Sequence, residues 1–331
     1  MSISDTNNIS GDKSEFEIEA IIISYNSRDI TLRCIQSMIE YSDGLSLGIT
    51  VVDNASSDDS VAAIQADYPD VRVIVNKKNL GYAAAVNIGA EACNAPFLLI
   101  SNSDVFYHKD SIRTLYEYIK SDPNIALTGP QQEYPDGSWQ YSFGYLPGKR
   151  LILNNYLFLN TLISLGRKIL FKLDMSDDKP RSVEYIDGAV HFVRKADFDA
   201  LDGFDEDYFF YTEEADFCKR LHDAGRKVMF QPEASVTHIR GGSSAGNTFD
   251  AKSAEMFIGS KILYCEKHLS KSETLRYIKS EIFATGILNM VWQFLKLPIT
   301  ILKNNSVRDS KIEMFRLLRR VWKRKLDEIE E

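Results

Sequence analysis

From residue 18 onward the chain alternates between two spacings of apolar residues. Ile18 to Ser24 is a short, nearly unbroken apolar run closing on polar residues, as in a strand buried on both faces. Arg28 to Tyr41 changes to helical spacing, with Ile30, Cys34 and Met38 on one face and Ile35 and Ile39 beside them. Gly48 to Asp53 reads as a second strand, and Asp58 to Asp67 as a helix with acids at its start. Val71 to Val75 is a third strand, Ala-rich Tyr82 to Cys93 a helix, Pro96 to Ser101 a fourth strand, and Asp110 to Ser121 a further helix. Strand signals resume at Val183 to Asp187 and Val190 to Val193. This alternation predicts an α/β fold, a mostly parallel, doubly wound sheet flanked by helices.

Ligands of such sheets bind beyond the carboxyl ends of the strands. Ser24-Tyr25-Asn26, Asp53-Asn54-Ala55-Ser56, Asn76 to Asn79 and Asn102-Ser103-Asp104 all fall there. Each Asn or Asp alone reads more readily as a turn former. Four polar strand ends together outline one pocket. Between Gln131 and Arg181 the rhythm breaks, with turn signals at Pro135-Asp136-Gly137 and Pro147-Gly148. Leu151 to Leu173 is apolar with Arg167, Lys168 and Lys172, and suits either a core helix pair, the preferred reading, or a groove for a greasy acceptor. Asp174 to Lys179 is a charged loop. Glu213, Glu214 and Asp216 crowd behind the aromatic run Tyr208 to Tyr211. Clustered acids beside aromatics are costly to bury, and persist where a metal, a proton or a polar substrate needs them. The competing reading is a solvated helix N-terminus, where acids suit the macrodipole.

The 331 residues accommodate one large α/β domain and a helical appendage. A net charge of -8 argues against nucleic acid as a partner, because a phosphate backbone needs a basic face. That charge is uneven. Residues 281–331 hold 10 Lys/Arg against 7 Asp/Glu, while the remainder holds 29 against 40, so a tail of +3 follows a body of -11. Cys34, Cys93, Cys218 and Cys265 are far apart, which disfavours a zinc site or disulfide framework and suits a reducing cytosol. Residues 1–17 read as a polar, disordered leader without signal-peptide features. No stretch has the length of uncharged apolar residues that a membrane span needs.

Seven motifs then occur in order. They are Ser24-Tyr25-Asn26; Val51-Val52-Asp53-Asn54-Ala55-Ser56; Asn79-Leu80-Gly81-Tyr82-Ala83 leading to Asn87-Ile88-Gly89; Ser101-Asn102-Ser103-Asp104; Gly203-Phe204-Asp205-Glu206; Glu213-Glu214-Ala215-Asp216; and Val236-Thr237-His238 before Gly241-Gly242-Ser243. From about Glu19 to His268 this order resembles family 2 glycosyltransferases of the GT-A fold, near the bacterial rhamnosyltransferase-like members. The resemblance implies inverting transfer of a sugar from a nucleotide diphosphate donor, with dTDP-L-rhamnose as the leading donor and UDP-sugars as the alternative. A non-catalytic nucleotide-sugar-binding scaffold is the competing class. Asp53 would accept the imide N–H of a pyrimidine base, with Ser24, Tyr25, Asn26, Asn54 and Ser56 around the nucleoside. Asn79, Gly81 and Asn87 would serve the diphosphate loop, Gly81 by allowing close backbone approach near a helix start. Asn102-Ser103-Asp104 occupies the family's DxD position with Asn first. Asp104 and His238 would then hold Mg²⁺ or Mn²⁺, although a lone His is often structural. Glu214 matches the catalytic acidic position, usually Asp, so either Glu213 or Glu214 is the base, and Asp216 binds the acceptor or caps the helix. Asp187-Gly188 would line the donor sugar.

The expected organisation is a domain over residues 18–268 followed by an amphipathic helical region over 269–331, the latter read from the tail's own residues. In the tail, Phe315, Leu318, Val321 and Trp322 share one helical face and Arg316, Arg319, Arg320, Lys323, Arg324 and Lys325 occupy much of the rest. Trp292 lies on the apolar stretch Ile282 to Leu302, which Pro298 would kink. A basic amphipathic helix with boundary Trp suits an anionic membrane surface; the alternative is packing on the body or in a homodimer. The expected location is cytoplasmic, peripheral on the inner face of the cell membrane, with a lipid-linked glycan as acceptor in polysaccharide or O-antigen synthesis.

Overall fold

The computed structural model describes residues 16–42, 44–157, 179–239, 250–294 and 305–330. Gly241-Gly242-Ser243, Arg167, Lys168, Lys172, Pro298 and most of the expected leader lie outside the described residues. Phe16 and Glu17, assigned above to the leader, instead join the body: the Glu17 amide donates to the Ser46 carbonyl at 2.9 Å, and the Tyr116 hydroxyl donates to the Glu17 carboxylate at 2.7 Å.

The predicted alternation is present. Strands β1 (Ile18–Ser24), β2 (Leu47–Asp53), β3 (Arg72–Val75) and β4 (Phe97–Asn102) alternate with helices α1 (Arg28–Glu40), α2 (Ser60–Asp67) and α3 (Tyr82–Glu91). The four strands pair in parallel in the order β3-β2-β1-β4. Burial on both faces explains the nearly unbroken apolar run of β1. One apolar cluster under α1 and α4 (Ser111–Ser121) and another under α3 cover the two faces.

Beyond β4 the sheet becomes mixed, and here pattern reading missed strands. These are β5 (Val105–Tyr107), β6 (Ile125–Glu133) and a long final strand (Lys227–His238). Between them come the short strands β7 (Trp139–Gln140), β8 (Phe143–Gly144), β9 (Arg181–Ser182) and β10 (Tyr185–Ile186), then β11 (Val190–Arg194), which makes the final strand β12. The order continues β4-β11-β6-β12-β5, with β11 antiparallel to both neighbours and β12 parallel to β6 but antiparallel to β5. Pro130 in β6 and Pro232 in β12 disguise these strands, because proline cannot donate to a ladder. The β12 register shifts between Gln231 and Ser235, a bulge that accommodates Pro232.

Helix α5 (Lys149–Leu157) covers the described part of the stretch expected to be core. None of its residues is buried; Leu151 and Ile152 pack partly against a helical cluster, and the other face is open. After α6 (Lys195–Ala200) and α7 (Glu213–Asp223), the chain closes with α8 (Ala251–His268), α9 (Lys271–Phe294) and α10 (Asn305–Glu330). These last three share a core with Tyr208 and Ala215 from the acidic segment. Of the two readings of the tail, packing on the body is the one these helices display. Val321 and Trp322 are buried in that core, with Trp322 1% exposed and edge-on to Tyr277 at 5.9 Å between ring centroids. Val321 and Trp322 of α10 therefore pack against α8 and α9, while Phe315 and Leu318 of the same face stay partly exposed. Among the described residues no helix is long and apolar enough to cross a membrane.

Truncating a fully packed Trp removes its transfer energy and leaves a cavity, together about 3–5 kcal/mol. Trp322→Ala should lower stability in urea by that amount. An unchanged denaturation midpoint would show that α10 is not anchored through this residue.

Candidate functional site

The strand order reverses between β1 and β4, so a crevice opens beyond their carboxyl ends. Ser24, Asp53 and Asn102 end the three strands that border it. Ser24 is buried in a hydroxyl network with Ser27 and Thr31, each at 3.2 Å, and Ser27 reaches Ser103 at 3.3 Å. Ser24 thus supports the Asn102-Ser103-Asp104 turn from beneath. Asn26 adopts φ +49° and its Oδ1 accepts the Ser57 amide at 2.7 Å, while its own amide donates to Ser56 Oγ at 2.8 Å. Asp53 is buried and takes the Ser56 amide at 2.9 Å and hydroxyl at 2.5 Å, leaving further carboxylate lone pairs. Tyr25 stands half-exposed beside this floor.

Three of the expected donor residues hold loops together. Asn54 is buried, and its Nδ2 donates to Asn79 Oδ1 and the Gly81 carbonyl at 3.0 and 2.9 Å. Its Oδ1 accepts from Asn76 Nδ2 and the Leu80 amide at 3.1 and 3.0 Å. Asn79 Oδ1 also caps the Gly81 amide. Asn87 donates to the Phe204 carbonyl and Glu206, and accepts the Phe204 amide, so it buttresses the Gly203–Glu206 turn. Gly81 is the residue its position demands: φ is +90°, and a Cβ there would lie 2.4 Å from the Phe209 carbonyl oxygen. That close approach lets the Tyr82 amide donate to Phe209 at 2.7 Å, tying the loop to the aromatic run before the acids.

Antiparallel pairing of β12 with β5 sets His238 opposite Val105, next in sequence to Asp104. Both side chains are buried, with His238 Nε2 3.5 Å from Asp104 Oδ1. On its other side, His238 Nδ1 faces Gln132 Oε1 at 3.0 Å and Gln140 Oε1 at 2.7 Å. Two amide oxygens require a proton on Nδ1, so in the neutral ring Nε2 is the nitrogen available to a ligand. The donor set, one oxygen and one nitrogen with the imidazole oriented by second-layer amides, fits a divalent metal. Among the described residues no group of three or more His, Cys, Asp and Glu forms such a site, so any further ligands come from elsewhere. Gln132 also reaches outward, its Nε2 donating to Asp187 Oδ1 at 3.4 Å. The sequence reading missed Gln132 and Gln140; a Gln-Gln pair inside an apolar strand was the available signal.

Asp187 leads to the acids. Tyr211 and Thr212 both take left-handed φ, +74° and +72°, before α7 begins at Glu213. Consecutive non-glycine residues there are strained, which marks a position held by its surroundings. Glu213 is buried, its Oε2 has no hydrogen-bond partner among the described residues, and burial followed by the Glu214 charge pushes its carboxyl well above the usual range. Glu214 is partly exposed, and a Cβ on Gly188 would lie 3.7 Å from its Cβ and Cγ. Burial and then the nearby Asp187 charge raise its carboxyl to about 7, a value suited to exchanging protons near neutrality. Tyr82 is buried, and its hydroxyl donates to the Gly188 carbonyl at 3.2 Å, with the Glu213 and Glu214 charges adding to burial in raising its phenol.

Asp216 does something else. It is buried, with its carboxylate taken by His268 Nε2 and Arg220 Nε, each at 2.7 Å. Burial opposes ionisation, but the His268 hydrogen bond and Arg220 charge outweigh it and hold the carboxyl below the usual range. Arg220 also donates to the Leu201 and Gly203 carbonyls at 2.7 and 2.9 Å. The carboxylate therefore clamps α7 to α8 and to the preceding turn; it is not positioned to move protons.

Residues 19–178 match the family model described as "Glycosyl transferase family 2". The chain is similar to the N-acetylglucosaminyl-diphospho-decaprenol L-rhamnosyltransferase of Mycobacterium tuberculosis, 29% identical over 214 residues that cover 60% of this chain and 68% of the relative. It also resembles the rhamnosyltransferase WbbL of Escherichia coli (strain K12), 24% identical over 143 residues, 43% of this chain and 52% of the relative. Among solved structures, the fold matches the mannosyltransferase PcManGT from Pyrobaculum calidifontis in complex with GDP-Man and Mn²⁺, with TM-score 0.55 and 14% identity over 94% of this chain and 85% of that one. The fold is GT-A.

Leaving buried partners of Asn54 unsatisfied should cost about 1–3 kcal/mol. Asn54→Ala is expected to lose that stability and to speed amide exchange at Leu80 selectively. Unchanged protection at Leu80 would show that the loop is held by other contacts.

Proposed function

We propose that this glycosyltransferase, whose residues 19–178 match the family 2 model, moves a sugar, with inversion, from a nucleotide diphosphate donor to a hydroxyl of a lipid-linked glycan. L-Rhamnose from dTDP-L-rhamnose is the favoured donor, supported by the rhamnosyl-transferring relatives. The acceptor class is supported by the diphospho-decaprenol named in the Mycobacterium tuberculosis relative. A UDP-sugar donor is the variant of the same chemistry. The enzyme is assigned to cell-surface polysaccharide synthesis, peripheral on the cytoplasmic face of the membrane.

The observation that carries the reading is the linkage of two acidic groups through one side chain. Gln132 joins His238, which faces Asp104, to Asp187, which raises the carboxyl of Glu214. Asp104 and His238 would hold a divalent cation, the imidazole favouring Mn²⁺ over Mg²⁺. Bound there, such an ion supplies neutralisation of the departing diphosphate. Glu214 accepts the proton of the acceptor hydroxyl as that oxygen attacks the anomeric carbon. The bond from that carbon to the diphosphate oxygen breaks on the opposite face, and the nucleoside diphosphate leaves. Glu213, buried beside it, keeps its proton and so adds no second charge. Asp53 is assigned to the base, Tyr25 to stacking on the nucleoside, and Asn102 and Gly188 to the donor sugar.

Glu214→Gln should retain donor binding and lose about 10²–10⁴-fold in turnover. In the parent, the rate should rise with pH through about 7 as Glu214 ionises. Stability moves the other way. A carboxyl raised on folding contributes stability that is present below its unfolded range and is lost as pH climbs to about 7. Glu214→Gln should flatten both profiles, and a parent-like rate profile in that variant would rule out Glu214 as the base.

Asp104→Ala should weaken Mn²⁺ binding by calorimetry and abolish metal-dependent donor affinity, while Asp53→Ala weakens dTDP and UDP donors alike by about 1.5–3 kcal/mol. Unaltered Mn²⁺ affinity in Asp104→Ala would sink the metal assignment.

A further inference from the structure

With Val321 and Trp322 of α10 buried, another surface stands out. Leu153, Tyr156 and Leu157 share one face of α5 at helical spacing and are 55%, 43% and 50% exposed. Tyr156 meets Phe283 of α9 at 5.2 Å between ring centroids, which makes the two helices one patch. On α9, residues 282–294 include no charged side chain, and Phe283, Met290 and Val291 are 41%, 48% and 44% exposed. An exposed apolar patch of this kind marks an interaction site.

Cations rim it. Arg316, Arg319, Arg320 and Lys323 lie on the outer side of α10 and form no ion pair with a carboxylate of the described residues. Their neighbours Arg324 and Lys325 do, with Glu255 and Glu328. Arg319 reaches α9 itself: a Cβ on Gly286 would lie 3.1 Å from its Nε. Gly286 is three residues after Phe283 and four before Met290, so this guanidinium borders the same stripe.

We propose that the face formed by α5 and α9, with the arginines of α10 at its rim, is where the enzyme lies on an anionic lipid bilayer. The inference deepens the lipid-linked acceptor reading and rests on it. Apolar side chains entering the headgroup boundary with unpaired cations beside them is the chemistry of interfacial binding. A second copy fits less well, since a two-fold contact through this face would bring two sets of the four cations into one interface.

The test uses the full chain and vesicles of equimolar phosphatidylglycerol and phosphatidylcholine, without donor or acceptor. The parent should cosediment, and less so as salt rises. Phe283→Asn with Met290→Asn, which leaves the charge unchanged, should reduce partition about tenfold or more, as should Glu at all four cationic positions. Both variants should keep parental thermal shifts with nucleotide sugar, a reading that fails separately if the transferase assignment is at fault. Parental vesicle binding by the double Asn variant would overturn the proposal. So would a parent that ignores vesicles but is a dimer that the double Asn variant makes monomeric.

Discussion

Strand β12 enters the sheet between β6 and β5, and the chemistry of the molecule depends on that placement. Pairing with β5 carries His238 to Asp104, and pairing with β6 sets Gln132 opposite Val236, within reach of the same imidazole. The bulge around Pro232 is the local cost of keeping both registers in one strand. Without this strand, Asp104 would be an acid at the end of a turn with no imidazole in front of it. Gln132 and Gln140 then decide which nitrogen of His238 is free, a choice the ring by itself does not make.

A second constraint is the crowding of acids in poorly hydrated space. Like charges in such a place cannot all ionise. The structure sorts them by environment. Asp216 is paired with Arg220 and His268 and stays charged, Glu213 is enclosed with no partner for its Oε2 among the described residues and stays protonated, and Glu214 sits between these extremes at the edge of the pocket. One short segment thus carries a clamp, a silent acid and an acid able to exchange its proton. Strain at Tyr211 and Thr212, together with the close packing of Gly81 on Phe209, fixes where that segment starts.

The helical end of the chain belongs to the same body. Tyr208 and Ala215, flanking the acids, share a core with Trp322 and Tyr277, so folding of α8 to α10 and placement of the acidic segment are coupled through packing. This leaves the cations of α10 pointing outward beside an apolar face made by other helices. Basic and apolar surface lie together, although not on the single amphipathic helix that the sequence suggested.

Strands β1 to β4 and the helices between them were legible, because a strand buried on both faces and an amphipathic helix write different periods into the chain. The polar strand ends marked the crevice for the same reason: polar residues at the ends of apolar runs have few other places to go. Sequence could not separate residues that face a ligand from residues that face each other. Asn54, Asn79, Asn87 and Asp216 carry the expected chemistry but direct it inward, since a buried amide or carboxylate must find partners and these find them in neighbouring loops. Strands β6 and β12 were hidden by proline, and the burial of Trp322 by the absence of any sequence sign of which surface would cover it. Local periodicity determined the elements and the rim of the pocket. Long-range pairing and packing decided which polar atoms stayed free, because hydrogen bonds and burial are satisfied by whatever the fold brings near, regardless of distance along the chain.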